Sequence, residues 1–210
     1  MWSSEVTNMI ITGIWETLYM TLVSTLVGYV IGLPMGIILT VSDKDGIKPN
    51  AVLYKILDVI ANIVRSVPFI ILLVLLIPFT RLVVGKSYGS TATIVPLVIA
   101  AAPYIARMVE SSLKEVDAGV IEAARSMGAS NFTIITKVML VEARTSLLVG
   151  ATITLGTILG YSAMSGAVGG GGLGAIAIRY GYTRWQTDIM IVTVILLIIC
   201  LLYTSEAADE

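Results

Sequence analysis

Apolar residues in this chain come in long runs rather than in the alternating stripes of a water-facing fold. Five runs approach the length of about 20 residues that a helix needs to cross the hydrocarbon core of a bilayer. They extend over about 17–41, 57–80, 90–109, 146–168 and 189–203. Lipid offers no partner to a backbone amide, so each run is predicted to be a helix. The fold class that follows is an all-α polytopic membrane protein of about five transmembrane helices, one domain over 1–199. Thr, Ser and Gly dilute the third and fourth runs. That suits helices facing protein or a pathway more than lipid.

Between those two runs lies 110–144, which is amphipathic and too polar to cross. Asp117 is placed to cap a short helix through Met127. Gly128 follows where a helix-ending glycine belongs. Ser130 is placed to cap a second helix through Phe132, Ile134, Ile135, Val138 and Met139. The pattern predicts helix, glycine turn, helix, lying on one face of the membrane. An ordered loop of this length is usually functional. On physical grounds it reads equally as a lever gripped by a soluble partner and as an amphipathic helix resting on lipid headgroups.

Composition sharpens the picture. The 210 residues are 57% hydrophobic and 13% charged, against about 45–50% and about 25% in soluble domains. The surplus apolar surface is predicted to face lipid. A net charge of -1 leaves no basic footprint for nucleic acid. The absence of His removes the commonest general base and metal ligand. A single Cys excludes an internal disulfide and a Cys cluster. Residues 1–16 hold Glu5 and Glu16 and no basic segment, so the first run is expected to be retained rather than cleaved.

Lys44, Lys48, Lys55 and Arg65 fall in or near the first connection, and Arg107, Lys114, Arg125, Lys137 and Arg144 in or near the third. Only Arg81, Lys86, Arg179 and Arg184 fall in the second and fourth. The bias predicts the N-terminus outside and the C-terminus in the cytoplasm. No charge is expected near the middle of a span. That favours a neutral or zwitterionic solute passed through over an ion-coupled carrier with a buried carboxylate.

Several shorter patterns carry expectations. Gly28, Gly32 and Gly36 line one helix face with small residues, for packing within the subunit or for a seam between two copies. Pro34, Pro68, Pro96 and Pro103 fall where they can kink spans. Gly169, Gly171 and Gly174 satisfy G-x-G-x-x-G formally, but no βαβ unit surrounds them and no Lys-Ser/Thr follows. They are expected to make a flexible, closely packed outer turn. Ser162, Met164 and Ser165 stand among Gly160, Ala163 and Gly166. Small residues open space, hydroxyls hydrogen-bond, and Met gives a soft surface. The segment reads as pathway lining or as ordinary packing. Finally, 200–210 is expected to be a non-native tail, because Cys-Leu-Leu-Tyr-Thr-Ser can be spelled by a transposase adapter of sequencing libraries and 189–199 alone is too short to span. The natural chain is then expected to continue past Ile199, which a genomic read across codon 200 checks.

Glu122-Ala123-Ala124, three residues, then Gly128 resembles the EAA loop of binding-protein-dependent ABC importer permeases. Val138-Met139-Leu140-Val141 stands where that family has Ile-x-Leu-Pro, and Glu142-Ala143-Arg144 keeps the usual continuation. Arg65-Ser66-Val67-Pro68-Phe69 resembles the start of a core span in the amino-acid branch of these permeases. Gly160 to Gly174, with Arg179-Tyr180-Gly181-Tyr182, is similar to permease subunits of the methionine branch. The likeness covers roughly 17–199.

The resemblance implies a type I ABC importer permease fold in a bacterial cytoplasmic membrane. It implies a homodimer, two ATP-binding cassette subunits and an extracytoplasmic methionine-binding protein. ATP and Mg would belong to the cassette subunits, and this chain would bind no cofactor and catalyse nothing covalent. Glu122, Ala123, Ala124 and Gly128 would form the coupling contact, and Tyr161, Ser162, Met164 and Ser165 would line the pathway. The cargo would be methionine, with the D enantiomer a candidate beside L. Two other readings stand beside it. One is a permease of the same class for another amino acid or small solute. The other is a channel or intramembrane enzyme, which would want a charged filter ring or catalytic polar groups at membrane depth.

Overall fold

The first helix, α1 (Ser4–Ser42), shows how this sequence distributes its residues. Gly13, Thr17, Ser24, Gly28, Gly32 and Gly36 are buried on one face, while Trp15, Leu22, Leu26, Val30 and Ile31 are exposed. Small residues inside and large apolar residues outside is the pattern of a helix solvated by lipid, where close backbone packing replaces hydrophobic burial. The structure, a computed structural model, describes residues 4–206. Among these, every regular element is helical. α1 begins well before the predicted run at 17. Its outer end, with Glu5, Asn8 and Glu16, is too polar to register as a span.

The glycine stripe packs on α5 (Ser90–Lys114). A Cβ on Gly32 would lie 2.6 Å from the Ala102 carbonyl oxygen and 2.7 Å from Ile105 Cβ. One on Gly36 would lie 2.6 Å from the Ala106 carbonyl oxygen. The stripe therefore serves packing within the subunit. The seam between copies that the spacing also allowed is ruled out for this face, because α5 already covers it.

The second predicted run is not a single straight crossing. Asn50 caps α2 (Ala51–Ser66), its side chain accepting from the Leu53 amide at 3.1 Å. α2 stops at Val67, which has φ -83° and ψ 125°. The residue before a proline is pushed out of the helical region, and Pro68 supplies no amide to continue the ladder. α3 (Phe69–Leu75) then leaves at 102° to α2. α4 (Ile77–Val84) follows and ends on Gly85 at φ 80°. Pro34, Pro96 and Pro103 differ from Pro68, for α1 and α5 continue through them.

After the loop that follows α5, α9 (Arg144–Ser165) returns across the bundle. A tight turn over 166–171 folds the chain back as α10 (Gly172–Ile176), which continues as a π-helical stretch (Ala177–Tyr182). α11 (Thr187–Glu206) closes the chain. It runs unbroken through Cys200, and residues 207–210 of the expected tail lie outside the described residues. The core lies between α1, α5 and α9, where Met20, Leu97, Ile105, Val109 and Ile158 are fully buried. By length and composition α1, α5 and the stretch Arg144–Tyr182 can cross a membrane, the bent α2–α3 pair passes together, and α11 is apolar over Thr187–Leu202. Each of the five predicted runs thus has its element.

Candidate functional site

At one end of the bundle the predicted loop is an ordered platform. Asp117 caps α6 (Ala118–Ser126), accepting from the Gly119 amide at 2.6 Å. Gly128 takes φ 79°, and the Ala129 amide reaches the Ala124 carbonyl at 3.1 Å to close the helix end. Ser130 accepts from the Thr133 amide at 3.2 Å and starts α7 (Asn131–Thr133). α7 passes through a π-helical stretch (Ile134–Met139) into α8 (Leu140–Glu142). Val141 stands in the family's proline position, and the chain enters α9 through Ala143, whose φ of -79° and ψ of 1° mark a slight break only.

Ala124, Ile134, Met139 and Ala143 are buried and anchor the platform. Of the predicted coupling residues, Ala124 points inward, while Glu122, Ala123 and Gly128 are exposed. The largest apolar groups facing away are Met127, 81% exposed, and Phe132, 75% exposed. Sequence reasoning did not single these two out. Arg125 donates to the Ile47 carbonyl at 3.0 Å, which ties the platform to the α1–α2 connection. The first and third connections therefore share one end.

Behind the platform lies an ion-pair network that sequence reasoning missed. Arg107 pairs with Asp58, donates to Glu110 at 2.6 Å and to Asn62 at 3.0 Å. Lys114 pairs with Glu110 at 2.8 Å and with Asp43 at 2.6 Å. Tyr54 donates to Glu110 at 3.2 Å, and Glu110 is only 4% exposed. The network joins the residue after α1, the polar face of α2 and the inner end of α5. The Lys114 ammonium bonded to Asp43 holds that carboxyl below its usual range. The i, i+3 and i+4 spacing of Arg107, Glu110 and Lys114 was the available signal. Their partners on α1 and α2 left none.

The four predicted pathway residues do not share a face. Ser162, 1% exposed, and Ser165 turn into the protein, where their hydroxyls donate to the carbonyls of Leu159 at 2.7 Å and Ser162 at 2.6 Å. Met164 is exposed. Tyr161, one turn earlier on the Met164 side, stacks flat on Phe69 with ring centroids 4.5 Å apart and planes 4° apart. Near that stack is a cavity of about 150 Å³ lined by Val64, Arg65, Leu72, Ala100 and Tyr104 among others. Arg65 belongs to the first connection by sequence position, yet it stands beside Ala100 and Tyr104, in the middle of α5. Hydropathy alone did not point to that neighbourhood.

At the opposite end, the glycine turn is closely packed and pinned by hydrogen bonds. Gly169 and Gly172 have φ of 87° and 79°. The Gly172 amide donates to Glu16 Oε2 at 2.7 Å and the Leu173 amide to Thr17 Oγ1 at 2.9 Å. The Gly89 amide donates to the Gly169 carbonyl at 2.9 Å. Side chains at Gly166 or Gly174 would collide with the backbone at Ala175 or Ala163. The amides that a phosphate would need already answer a carboxylate and a hydroxyl.

With this geometry in place, comparison with known proteins is informative. Residues 28–206 match the family described as binding-protein-dependent transport system inner membrane component. The probable D-methionine transport system permease protein MetI of Vibrio cholerae is 47% identical over 208 residues, 99% of this chain and 92% of the relative. The D-methionine transport system permease protein MetI of Escherichia coli K12 is 52% identical over 158 residues, 75% of this chain and 73% of the relative. A chain from inward-facing structures of the MetNI methionine ABC transporter superposes with a TM-score of 0.97 at 50% identity, covering 99% of this chain and 96% of that one.

Proposed function

Since the chain belongs to the family of binding-protein-dependent transport system inner membrane components, we propose that it is the membrane-spanning subunit of an ATP-driven methionine importer. Two copies frame one pathway in the bacterial cytoplasmic membrane. Two ATP-binding subunits sit beneath, and a methionine-binding protein delivers cargo from above. The N-terminus lies outside and the C-terminus inside, because the basic residues of the first and third connections gather at the platform end. ATP and Mg bind the partner subunits, which carry out hydrolysis. This chain does mechanical work only.

The observation that carries the reading is the platform itself. A short helix capped by Asp117 and ended by Gly128 holds Met127 and Phe132 out beyond the bundle. Exposed apolar knobs on an ordered turn make a socket contact with a soluble partner. The buried Ala124, Ile134 and Met139 pass a push on that turn into α5 and α9. The ion pairs of Arg107 and Lys114 pass it further, to α1 and α2.

The test is uptake of labelled methionine by proteoliposomes holding this chain, its ATPase partner and its binding protein. Accumulation is expected with ATP and not without it. Gly128→Val should uncouple the machine. A β-branched side chain at φ 79° strains the turn by about 1–3 kcal/mol, and nothing lies within 4 Å to clash with. Uptake should therefore fall at least about tenfold while the subunit still assembles. ATP-dependent uptake of another solute in place of methionine would discard the cargo and keep the class. Uptake indifferent to ATP would discard the class.

A further inference from the structure

We propose that Arg65 and the cavity beside it form a transient binding site for the carboxylate of the transported α-amino acid. This rests on the reading above, that the chain passes an amino acid. Arg65 is the next-to-last residue of α2, just before the 102° break. It lines the cavity with Tyr104, which is about 15 Å from Lys114 at 1.5 Å per residue along α5. Tyr104 is one turn from Arg107, so the cavity lies just beyond the ion-pair network. An ionisable side chain lining a cavity between membrane helices ordinarily marks a solute path.

Arg65 makes no hydrogen bond or ion pair among the described residues. The acidic groups nearest along α2 and α5 are taken. Asp58 and Glu110 are held by Arg107, and Glu110 also by Lys114. The guanidinium therefore keeps its planar fork of donors unengaged, the geometry that fits a carboxylate through two parallel bonds.

The rest of the cavity suits the rest of such a molecule. Its volume of about 150 Å³ is that of a small solute. Phe69 and Tyr161 form a flat stacked wall, and Leu72 and Ala100 add aliphatic surface. Met164 continues the exposed side of α9 one turn beyond Tyr161. The backbone break at Val67 and Pro68 opens onto the same place. Non-helical backbone at membrane depth is tolerated where it is buried in protein or lines a cavity. The break thus supplies the opening, the arginine the charge, and the ring stack the apolar contact.

The test measures equilibrium binding of labelled methionine to the assembled permease–ATPase complex in nanodiscs, without the binding protein. Unlabelled methionine and methioninol, whose carboxylate is replaced by hydroxymethyl, compete. Methioninol is expected to compete at least about tenfold more weakly. Arg65→Gln should weaken methionine by about tenfold or more and erase the preference over methioninol. Arg65→Lys keeps the charge without the fork and should fall between. It also decides the matter if the glutamine variant fails to co-purify with the ATPase.

Unchanged methionine affinity in Arg65→Gln, equal competition by methioninol in the parent, or no binding of any carboxylate solute at millimolar concentration would overturn the assignment. If the parent complex binds a different amino acid, methionine as cargo fails. Arg65 is then judged on that amino acid and its alcohol by the same criteria.

Discussion

Gly32→Leu is expected to eliminate the assembled subunit from the membrane. The Cβ alone would lie 2.6 Å from the Ala102 carbonyl oxygen and 2.7 Å from Ile105 Cβ. The first of these is backbone and cannot rotate away. α1 and α5 would have to separate along the line that Gly28, Gly32 and Gly36 define. In lipid that separation is not opposed by water, so close packing is the main attraction lost. Overpacking by a few methylenes costs about 1–3 kcal/mol, and more where backbone must move. Total stabilities are only about 5–15 kcal/mol. Gly32→Ala should lower the melting temperature without preventing assembly. Val30→Leu, on the exposed face of the same helix, should be silent. Size-exclusion profiles of the solubilised complex separate these outcomes. A normal peak for Gly32→Leu would mean that α1 does not pack on α5 through this stripe.

The second large effect concerns Arg107. Its replacement by Ala leaves Asp58 without its ion-pair partner and strips Glu110 of one of two cations. Breaking a buried pair from one side costs about 3–5 kcal/mol. For a chain of this size that corresponds to a drop on the order of 10 °C in melting temperature. Replacing Asp58 by Asn as well should restore part of the loss, since an orphaned carboxylate costs more than an absent pair. A double-mutant cycle that is strictly additive would show that the two do not interact. Acid adds an independent check at Asp43. Lys114 lowers its folded pKa, so its contribution is complete above the ordinary carboxylate value of about 3.9. It is lost as pH falls through the lower folded value. Lys114→Met should remove that acid-sensitive component.

What the sequence revealed and what it hid divide along a physical line. Properties set by a local run were visible: five apolar segments, the caps at Asp117 and Ser130, and the glycine at 128. Properties set by a partner far along the chain were not. The i, i+4 spacing of Gly28, Gly32 and Gly36 named a face but not the helix that would meet it. Ser162 and Ser165 share a helical face with buried Ile158 and Leu159, and nothing in their own chemistry announced that burial. Pro68 looked like Pro34, Pro96 and Pro103, all of them prolines in or beside apolar runs. Only Pro68 breaks its helix, because Val67 before it adopts the extended conformation. Arg65 was grouped with a connection because hydropathy counts residues along the chain and cannot see that the end of α2 packs beside Ala100 and Tyr104 of α5.

The link between Glu16 and Gly172 also constrains how the subunit is made. The two residues are 156 apart in sequence. At about 5–20 residues per second, a ribosome needs roughly 8–30 s to travel between them. Throughout that interval the first helix is already made, while the amide that Glu16 will accept from has not been synthesised. Its carboxylate must stay hydrated until α10 arrives. The outer part of α1 is thus among the last parts of the bundle to reach its final contacts. The α1–α5 stripe, complete once α5 has been made, keeps the growing chain in register during the wait.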